Sequence, residues 1–243
     1  MRMSAFAKRV CKEILRDPLT LIFGLGFPTV LILLLSAIQA NIPVSIFEIE
    51  KLAPGMTVFG LSFITLFSAT IIAKDRESSF LTRLYATPIK AVDFIFGYTL
   101  PFIPIALIQA LFCYFVGILM GLSPTLNILY ALIFIIPISV FFIGLGLFFG
   151  SLLNQKQTGG ICGALLTNLT AWLSGIWFDL ELVGGAFKKI AEALPFFHAV
   201  KLEQTSYLPS EENMLVHFIW VAGYAIAAMA LAIFTFTKQM KNM

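Results

Sequence analysis

Charged residues are scarce in this sequence. Asp, Glu, Lys and Arg make up 12% of the 243 residues, whereas apolar types make up 59% and the mean hydropathy is +0.95. A soluble domain usually carries about 25% charged residues. The 25 phenylalanines add more apolar area than a soluble core would hide. The composition therefore excludes an ordinary soluble domain and favours a protein embedded in a bilayer.

Motifs for common chemistry are scarce as well. The sequence contains neither a GxxxxGK(S/T) stretch, the mark of a P-loop, nor a GxSxG stretch. The histidines His198 and His217 have no second His or Glu at metal-ligand spacing. The three cysteines lack CxxC spacing and indicate packing residues. We therefore expect no catalytic residues, no metal and no nucleic-acid partner, and an intramembrane enzyme is the least favoured class.

Six apolar runs are long enough to cross a membrane. A helix needs about 20 apolar residues to do so, and none of these runs contains Asp, Glu, Lys or Arg. The runs are residues 19–40, 55–73, 94–122, 129–153, 159–178 and 215–237. We expect residues 1–243 to form a single all-α transmembrane domain of six helices. Gly146-x-x-x-Gly150 in the fourth run and Gly159-Gly160 at the start of the fifth predict close packing against neighbouring helices.

The distribution of basic residues predicts the orientation of the chain. In a chain with six crossings, the two ends, the loop between the second and third runs, and the loop between the fourth and fifth runs all lie on one side of the membrane. These four segments contain twelve of the 16 Lys and Arg residues. Because basic residues concentrate on the cytoplasmic side, both termini are expected in the cytoplasm. The chain is then a multi-pass protein of the cell membrane, and its short loops are typical of a bacterium.

Residues 1–18 predict an amphipathic helix before the first run. Its apolar side chains recur with a 3.6-residue period, and the opposite face is basic. The apolar face consists of Met3, Phe6, Ala7, Val10 and Ile14. Such a helix is suited to the inner membrane interface, with its basic side toward anionic headgroups. A plain cytosolic helix is the alternative, and Asp17-Pro18 ends it in either case.

The loop between the second and third runs contains another amphipathic segment. Residues 77–86 combine helical spacing with an apolar stripe and charged flanks, and Thr87-Pro88 ends the segment. A short helix of this kind is suited to dock into a groove of a soluble partner, whereas a loop lying on the headgroups is the alternative. The candidate docking residues are Arg76, Glu77, Phe80, Leu81, Arg83, Leu84, Tyr85 and Pro88.

Mildly polar and aromatic residues mark a candidate pathway through the second and fifth runs. The best candidates are Phe59, Phe63, Thr65, Asn168 and Trp172. They would suit an amphipathic or lipid-like cargo, although such residues also pack helices together. A hydrated channel usually shows rings of charge. A passive channel or a membrane scaffold therefore stays an alternative to a transporter.

The apolar segment after the fifth run is interrupted by glycine and proline. Residues 186–194 could form a helix too short to span, so a re-entrant or interfacial hairpin fits better. Together with the cytoplasmic loop, this segment resembles the ABC-2 type transporter permeases of bacteria. The resemblance rests on residues 75–77, 84–88, 174–178 and 194–200, and on Arg16-Asp17-Pro18. The chain departs from the family pattern at Ser78-Ser79, Asp179 and residues 201–204.

The resemblance implies the membrane subunit of an ATP-driven exporter. Such subunits act as homodimers, or as heterodimers with a similar permease, bound to two cytosolic ATPase subunits that hold ATP and Mg. This chain would hold no cofactor and would contact membrane lipids. Its N-terminal helix would be an elbow helix, residues 77–86 a coupling helix, and residues 179–200 an extracellular re-entrant hairpin. The implied gate residues are Gly175, Trp177, Phe178, Pro195 and His198. The apolar pathway favours a drug, a lipid or a peptide as cargo.

Overall fold

The computed structural model describes residues 2–78, Phe80, 91–209 and 213–241, and all regular secondary structure within them is helical. The α-helices are α1 (Arg2–Leu15), α2 (Pro18–Leu21), α3 (Phe27–Gln39), α4 (Ile49–Glu77), α5 (Ala91–Leu119), α6 (Asn127–Leu152), α7 (Gln155–Thr158), α8 (Thr167–Leu173), α9 (Leu180–Val183), α10 (Gly185–Ala193), α11 (Pro195–Tyr207) and α12 (Met214–Lys241). Two π-helical stretches, Ile22–Gly26 and Gly159–Leu166, continue α2 into α3 and α7 into α8.

Five helices in the described part of the chain are long and apolar enough to cross a membrane. They are Ile22–Gln39, called the first span below, and Ile49–Glu77, Ala91–Leu119, Asn127–Leu152 and Met214–Met240. Each coincides with one of the predicted runs, with shifts of a few residues at the ends. The chain is therefore an all-helical protein with the membrane-crossing helices of a multi-pass membrane protein.

The fifth predicted run, residues 159–178, overlaps a helix that ends before residue 178 and is less apolar than the five spans. The chain is continuously helical from Gln155 to Leu173, through the π-helical stretch, and then enters a turn. Lys156 and other polar residues occupy the first turn of this segment. The helix is therefore not among the five that qualify as spans by length and composition.

The second span continues further than the sequence predicts. Residues 74–77, which were expected in a cytoplasmic loop, form the last turn of α4. That expectation is wrong because tertiary contacts hold this charged turn in the helix. The Arg76 guanidinium donates hydrogen bonds to the backbone carbonyls of Ser151 and Leu153, the latter at 2.6 Å.

Helix α4 lies at the centre of the molecule and packs closely against α6. A Cβ atom placed on Gly146 would lie 2.5 Å from the carbonyl oxygen of Thr65, and one on Gly150 would lie 2.5 Å from that of Ala69. Neither position has room for a side chain, so the two helix backbones approach closely. The predicted Gly-x-x-x-Gly packing is thus confirmed. The same prediction is wrong for Gly159 and Gly160, because a Cβ atom on either would meet nothing within 4 Å.

The outward faces of the spans are apolar. On α5, Phe115 and Leu119 are 59% and 61% exposed, and on α12, Ile226 and Phe234 are 71% and 67% exposed. In water such a surface would be strongly unfavourable, whereas hydrocarbon chains cover it at no cost. These faces are therefore suited to contact with lipid.

The amphipathic helix predicted near the N-terminus is present as α1, but its apolar face does not point away from the protein. Phe6, Val10 and Ile14 are each at most 8% exposed. Phe6 packs edge-on against Phe94 and Tyr98 of α5, with ring centroids 5.5 and 4.8 Å apart. The expectation that this face lies in lipid is wrong, because α5 supplies a protein surface for it.

Candidate functional site

An aromatic cavity of about 410 Å³ lies where the first span, α4 and α8 meet the segment that follows α8. Sites for small molecules commonly have volumes of about 300–1,000 Å³. The cavity is lined by Phe27, Leu31, Phe59, Thr167, Asn168, Ala171, Trp172, Trp177 and Phe178. It therefore brings together three predicted pathway residues, Phe59, Asn168 and Trp172, with two predicted gate residues.

The aromatic rings of the cavity support one another. Phe63 meets Phe27 and Phe59 edge to face, with centroid distances of 5.3 and 5.8 Å. Trp177 meets Phe59 in the same way at 6.3 Å. Edge-to-face pairs at such distances are favourable, because the positive ring edge approaches the negative ring face. The rings therefore form a preformed apolar wall.

Polar groups are few around this wall. The Asn168 side-chain amide donates a hydrogen bond to the Ala164 carbonyl at 2.7 Å, and Thr167 donates to the Cys162 carbonyl at 3.2 Å. Trp172 is 61% exposed at the cavity mouth. The arrangement suits a flat apolar or amphipathic molecule. It offers few hydrogen-bond partners that could replace the water molecules around an ion or a sugar.

Thr65 lies away from the cavity. Its side chain is 1% exposed and its hydroxyl donates to the Phe142 carbonyl of α6 at 2.8 Å. It therefore takes part in the packing of α4 against α6. Phe63 does not line the cavity directly but supports Phe27 and Phe59 from behind.

The turn after α8 carries the chain back over the cavity. Gly175 has a φ of +78°, a backbone conformation that residues with a Cβ rarely adopt. The turn brings Trp177 and Phe178 to the cavity, and the Phe178 ring packs against Phe187 of α10 at 6.0 Å. Pro195 is buried in the first turn of α11. Phe187 of α10 therefore supports the Phe178 side of the cavity, whereas the residues of α9, α10 and α11 do not line it.

His198 of α11 lies apart from the aromatic cavity, against α12. Its Nδ1 is 2.8 Å from Nδ1 of His217, and its Nε2 is 2.8 Å from the Glu192 carbonyl oxygen. Its ring stacks on Trp220 at 4.7 Å. Burial lowers the pKa of His198 below its ordinary value, so the neutral ring is favoured. His198 thus ties α11 to the last span.

The predicted docking segment is only partly described. Leu81, Arg83, Leu84, Tyr85 and Pro88 lie outside the described residues. At its start, the Glu77 carboxylate accepts a hydrogen bond from the Gln155 backbone N–H at 2.9 Å. The Phe80 ring stacks on Phe6 at 6.4 Å and lies under the Arg9 guanidinium at 4.2 Å. This end of α4 is therefore joined to both α1 and α7.

An ion-pair network holds α1 against the end of α4. The Asp75 carboxylate is 2% exposed and accepts both guanidinium nitrogens of Arg9, one at 2.6 Å, and the Tyr98 hydroxyl at 2.7 Å. Nearby, Glu13 pairs with Lys74 at 2.8 Å and with Arg9 at 2.9 Å. The end of α4 is therefore joined to α1 by charged contacts.

A comparison with protein families matches residues 1–207 to the ABC-2 type transporter family. The match covers the N-terminal helix, α4, α5, α6, the aromatic cavity and the hairpin helices as far as Tyr207. The chain belongs to the ABC-2 type transporter family. Its membrane-crossing helices and apolar outer surface agree with this membership.

Two curated proteins show more distant similarity to this ABC-2 family member. "Putative transport permease ycf38" of Porphyra purpurea is 30% identical over 128 residues, which are 50% of this chain and 44% of that protein. "ABC transporter G family member 20" of Dictyostelium discoideum is 25% identical over 203 residues, which are 80% of this chain and 28% of that protein. The matches thus cover less than half the length of either relative.

Glu203 of α11 is a notable residue of this ABC-2 family member that the sequence alone does not indicate. It is fully buried, and one carboxyl oxygen accepts the Tyr114 hydroxyl of α5 at 2.7 Å. The other has no hydrogen-bond partner among the described residues. Burial raises the pKa of Glu203 to about 8. The stretch Lys201-Leu-Glu-Gln looks polar, and only the fold shows that Glu203 points inward.

Proposed function

We propose that this ABC-2 family member is the membrane subunit of an ATP-driven exporter for an amphipathic or hydrophobic molecule, such as a drug, a lipid or a peptide. The supporting observation is the aromatic cavity, whose walls are built from rings and which has few polar groups. A cargo of this kind gains by leaving water for such a cavity, and its polar end can face Asn168 and Thr167.

The energy for export would come from separate subunits. The sequence has no P-loop, so two cytosolic ATPase subunits would bind ATP and Mg and act on the segment that begins at Glu77. The proposed docking residues run from Arg76 to Pro88. The contacts of Arg76 with Ser151 and Leu153, and of Asp75 with Arg9, offer a stiff route from that segment into the spans.

The proposed arrangement in the membrane has six crossings with both termini in the cytoplasm. In this topology Gln155–Leu173 is the fifth crossing, α9 to α11 form a re-entrant hairpin on the outer side, and α1 is the elbow helix. Gly175, Trp177, Phe178, Pro195 and His198 would form the outer gate. Two copies of the chain, or one copy and a similar permease, would place two aromatic cavities around one pathway.

The test is cargo-stimulated ATP hydrolysis by the full complex in nanodiscs. The chain is co-expressed with its ATPase, and a panel of lipophilic drugs, lipids and amphipathic peptides is added. We expect one cargo class to stimulate hydrolysis. Trp172→Ala and Phe59→Ala should each raise the half-maximal cargo concentration by about fivefold, because each removes an aromatic contact worth about 1 kcal/mol.

A matched control is Phe234→Ala on α12, because Phe234 is 67% exposed on the outward apolar face of that helix. This variant should respond to cargo like the unchanged protein. An equal loss in all three variants would mean that the cavity has no special role. Absence of any complex with the ATPase would overturn the transporter proposal and favour a passive channel or scaffold.

A further inference from the structure

A second and larger cavity lies at the other end of α4, between that helix and α1. Its volume is about 860 Å³. It is lined by Ala5, Lys8, Arg9, Lys12, Glu13, Ile14, Arg16, Asp17, Pro18, Thr20, Thr70, Ile71, Lys74 and Gln155. We call it the basic groove, because five of these residues are Lys or Arg and only two are acidic.

The cations of the basic groove fall into two groups. Arg9 and Lys74 are neutralised by Asp75 and Glu13 in the ion-pair network. Lys8, Lys12 and Arg16 are exposed and have no ion pair in the described part of the chain. Their charges are therefore available to a ligand.

The positions of these three cations follow from the helix period. Lys8, Lys12 and Arg16 are spaced by four residues, so they succeed one another along one side of α1 and its end. The opposite side carries Val10 and Ile14, which are buried against the protein. Because that side is fixed by packing, the three cations are held facing the basic groove.

The surroundings of the basic groove are apolar as well as basic. Beside it, Leu15 is 61% exposed and, at the start of the first span, Ile22 and Phe23 are 64% and 49% exposed. The groove itself includes Ile71 and Pro18. A ligand that fits this combination has an anionic head for the cations and hydrocarbon for the apolar edge.

We propose that the basic groove binds the phosphate headgroup of an anionic phospholipid, with its acyl chains lying along Leu15, Ile22 and Phe23. Lys8, Lys12 and Arg16 supply the charge-assisted hydrogen bonds to the phosphate. The lipid would belong to the leaflet on the side of α1. It would brace α1 against α4 at the turn where the docking segment begins.

The test is lipid binding by the purified full-length chain, which needs neither cargo nor ATPase. Native mass spectrometry measures retention and affinity of phosphatidylglycerol and of zwitterionic phosphatidylcholine. We expect phosphatidylglycerol to bind more tightly. The triple variant Lys8→Gln, Lys12→Gln, Arg16→Gln should weaken phosphatidylglycerol binding by about tenfold or more, because each basic residue near an anionic headgroup contributes substantially.

A matched control removes the same charge elsewhere. Lys156, Lys189 and Lys238 are exposed and line neither the basic groove nor the aromatic cavity. Their triple replacement by Gln should leave phosphatidylglycerol binding unchanged. Size-exclusion profiles and melting temperatures of both triple variants establish that they fold.

Three results would overturn the proposal. One is equal binding of the two lipids, and another is unchanged phosphatidylglycerol binding in the Lys8, Lys12 and Arg16 triple variant. The third is displacement of the lipid by inorganic phosphate or glycerol phosphate at similar concentration, which would make this a site for a soluble anion. Because none of these measurements involves transport, their failure is distinguishable from failure of the proposed function.

Discussion

Glu203 is a carboxyl group in surroundings that do not favour its charge. It lies on α11, fully buried between that helix and α5, with the Tyr114 hydroxyl as its hydrogen-bond donor. Burial removes the water that would solvate a carboxylate, which raises its pKa from 4.5 to about 8. At neutral pH the folded protein therefore favours the protonated form.

This pKa predicts how stability depends on pH. In the unfolded chain Glu203 loses its proton near its ordinary pKa, whereas in the folded chain it keeps the proton up to about pH 8. The contribution of Glu203 to the free energy of unfolding is therefore fully present below pH 4.5. It falls by up to about 1.4 kcal/mol per pH unit as the pH rises above 4.5, and it is lost at about pH 8. Glu203→Gln imitates the protonated form, so this variant should be progressively more stable than the unchanged protein between pH 5.5 and 8.

Melting temperatures in detergent across pH 5.5 to 9 check this prediction. The control is Glu50→Gln, because Glu50 is exposed at the start of α4. The difference in melting temperature between Glu50→Gln and the unchanged protein should not grow with pH. If the difference in melting temperature between Glu203→Gln and the unchanged protein also stays constant, Glu203 is solvated in the folded protein.

At the scale of elements, the contact of α4 with α6 organises the membrane domain. It depends on Gly146 and Gly150 of α6. The carbonyl oxygens of Thr65 and Ala69 occupy the space that a side chain at these two positions would need. Such close contact lets the backbones of two helices gain dispersion energy over a long interface. The helices around α4, including those of the aromatic cavity, are positioned by this contact.

Gly146→Ala should therefore destabilise the protein. The new methyl group would meet Thr65 and Ser68 with no space available, and overpacking of this kind costs about 1–3 kcal/mol. The matched control is Gly223→Ala on α12, where a Cβ meets nothing within 4 Å. Melting temperatures in detergent should fall for the first variant and stay level or rise for the second. Equal temperatures would mean that the two helices separate at little cost.

For the whole molecule, the segment Gln155–Leu173 decides the topology. Lys156 begins this segment, and the exposed Lys189 lies beyond it on α10. If the segment crosses the membrane, as proposed, these two residues lie on opposite sides. If it enters and returns, they lie on the same side, and the chain has five crossings with its termini on opposite sides.

Labelling with a membrane-impermeant maleimide distinguishes these cases. Cys11, Cys113 and Cys162 are first replaced, because all three are free thiols. We expect Lys189→Cys to react in intact cells and Lys156→Cys to react only after permeabilisation. Lys12→Cys on α1 serves as the cytoplasmic reference. Reaction of both positions from one side would contradict the six-crossing proposal.

Much of the candidate site could be predicted from the residues alone. The sequence predicts functional roles for Phe59, Asn168, Trp172, Trp177 and Phe178, which belong to two distant runs, and the fold gathers all five around one cavity. Side-chain chemistry made this possible, because aromatic and amide groups in apolar runs are distinctive. Thr65 looked equally suitable, but its hydroxyl faces α6. Which way a small polar side chain points depends on helix rotation, which composition does not specify.

The residues alone predict a helical membrane protein, because long runs of apolar residues without charge are stable in a bilayer and not in water. The period of the apolar residues near the N-terminus likewise predicts α1. The fold was needed to show that Val10 and Ile14 pack on protein, that residues 74–77 extend α4, and that Glu203 is buried. These outcomes depend on which surface comes to lie opposite each residue, and distant parts of the chain supply that surface.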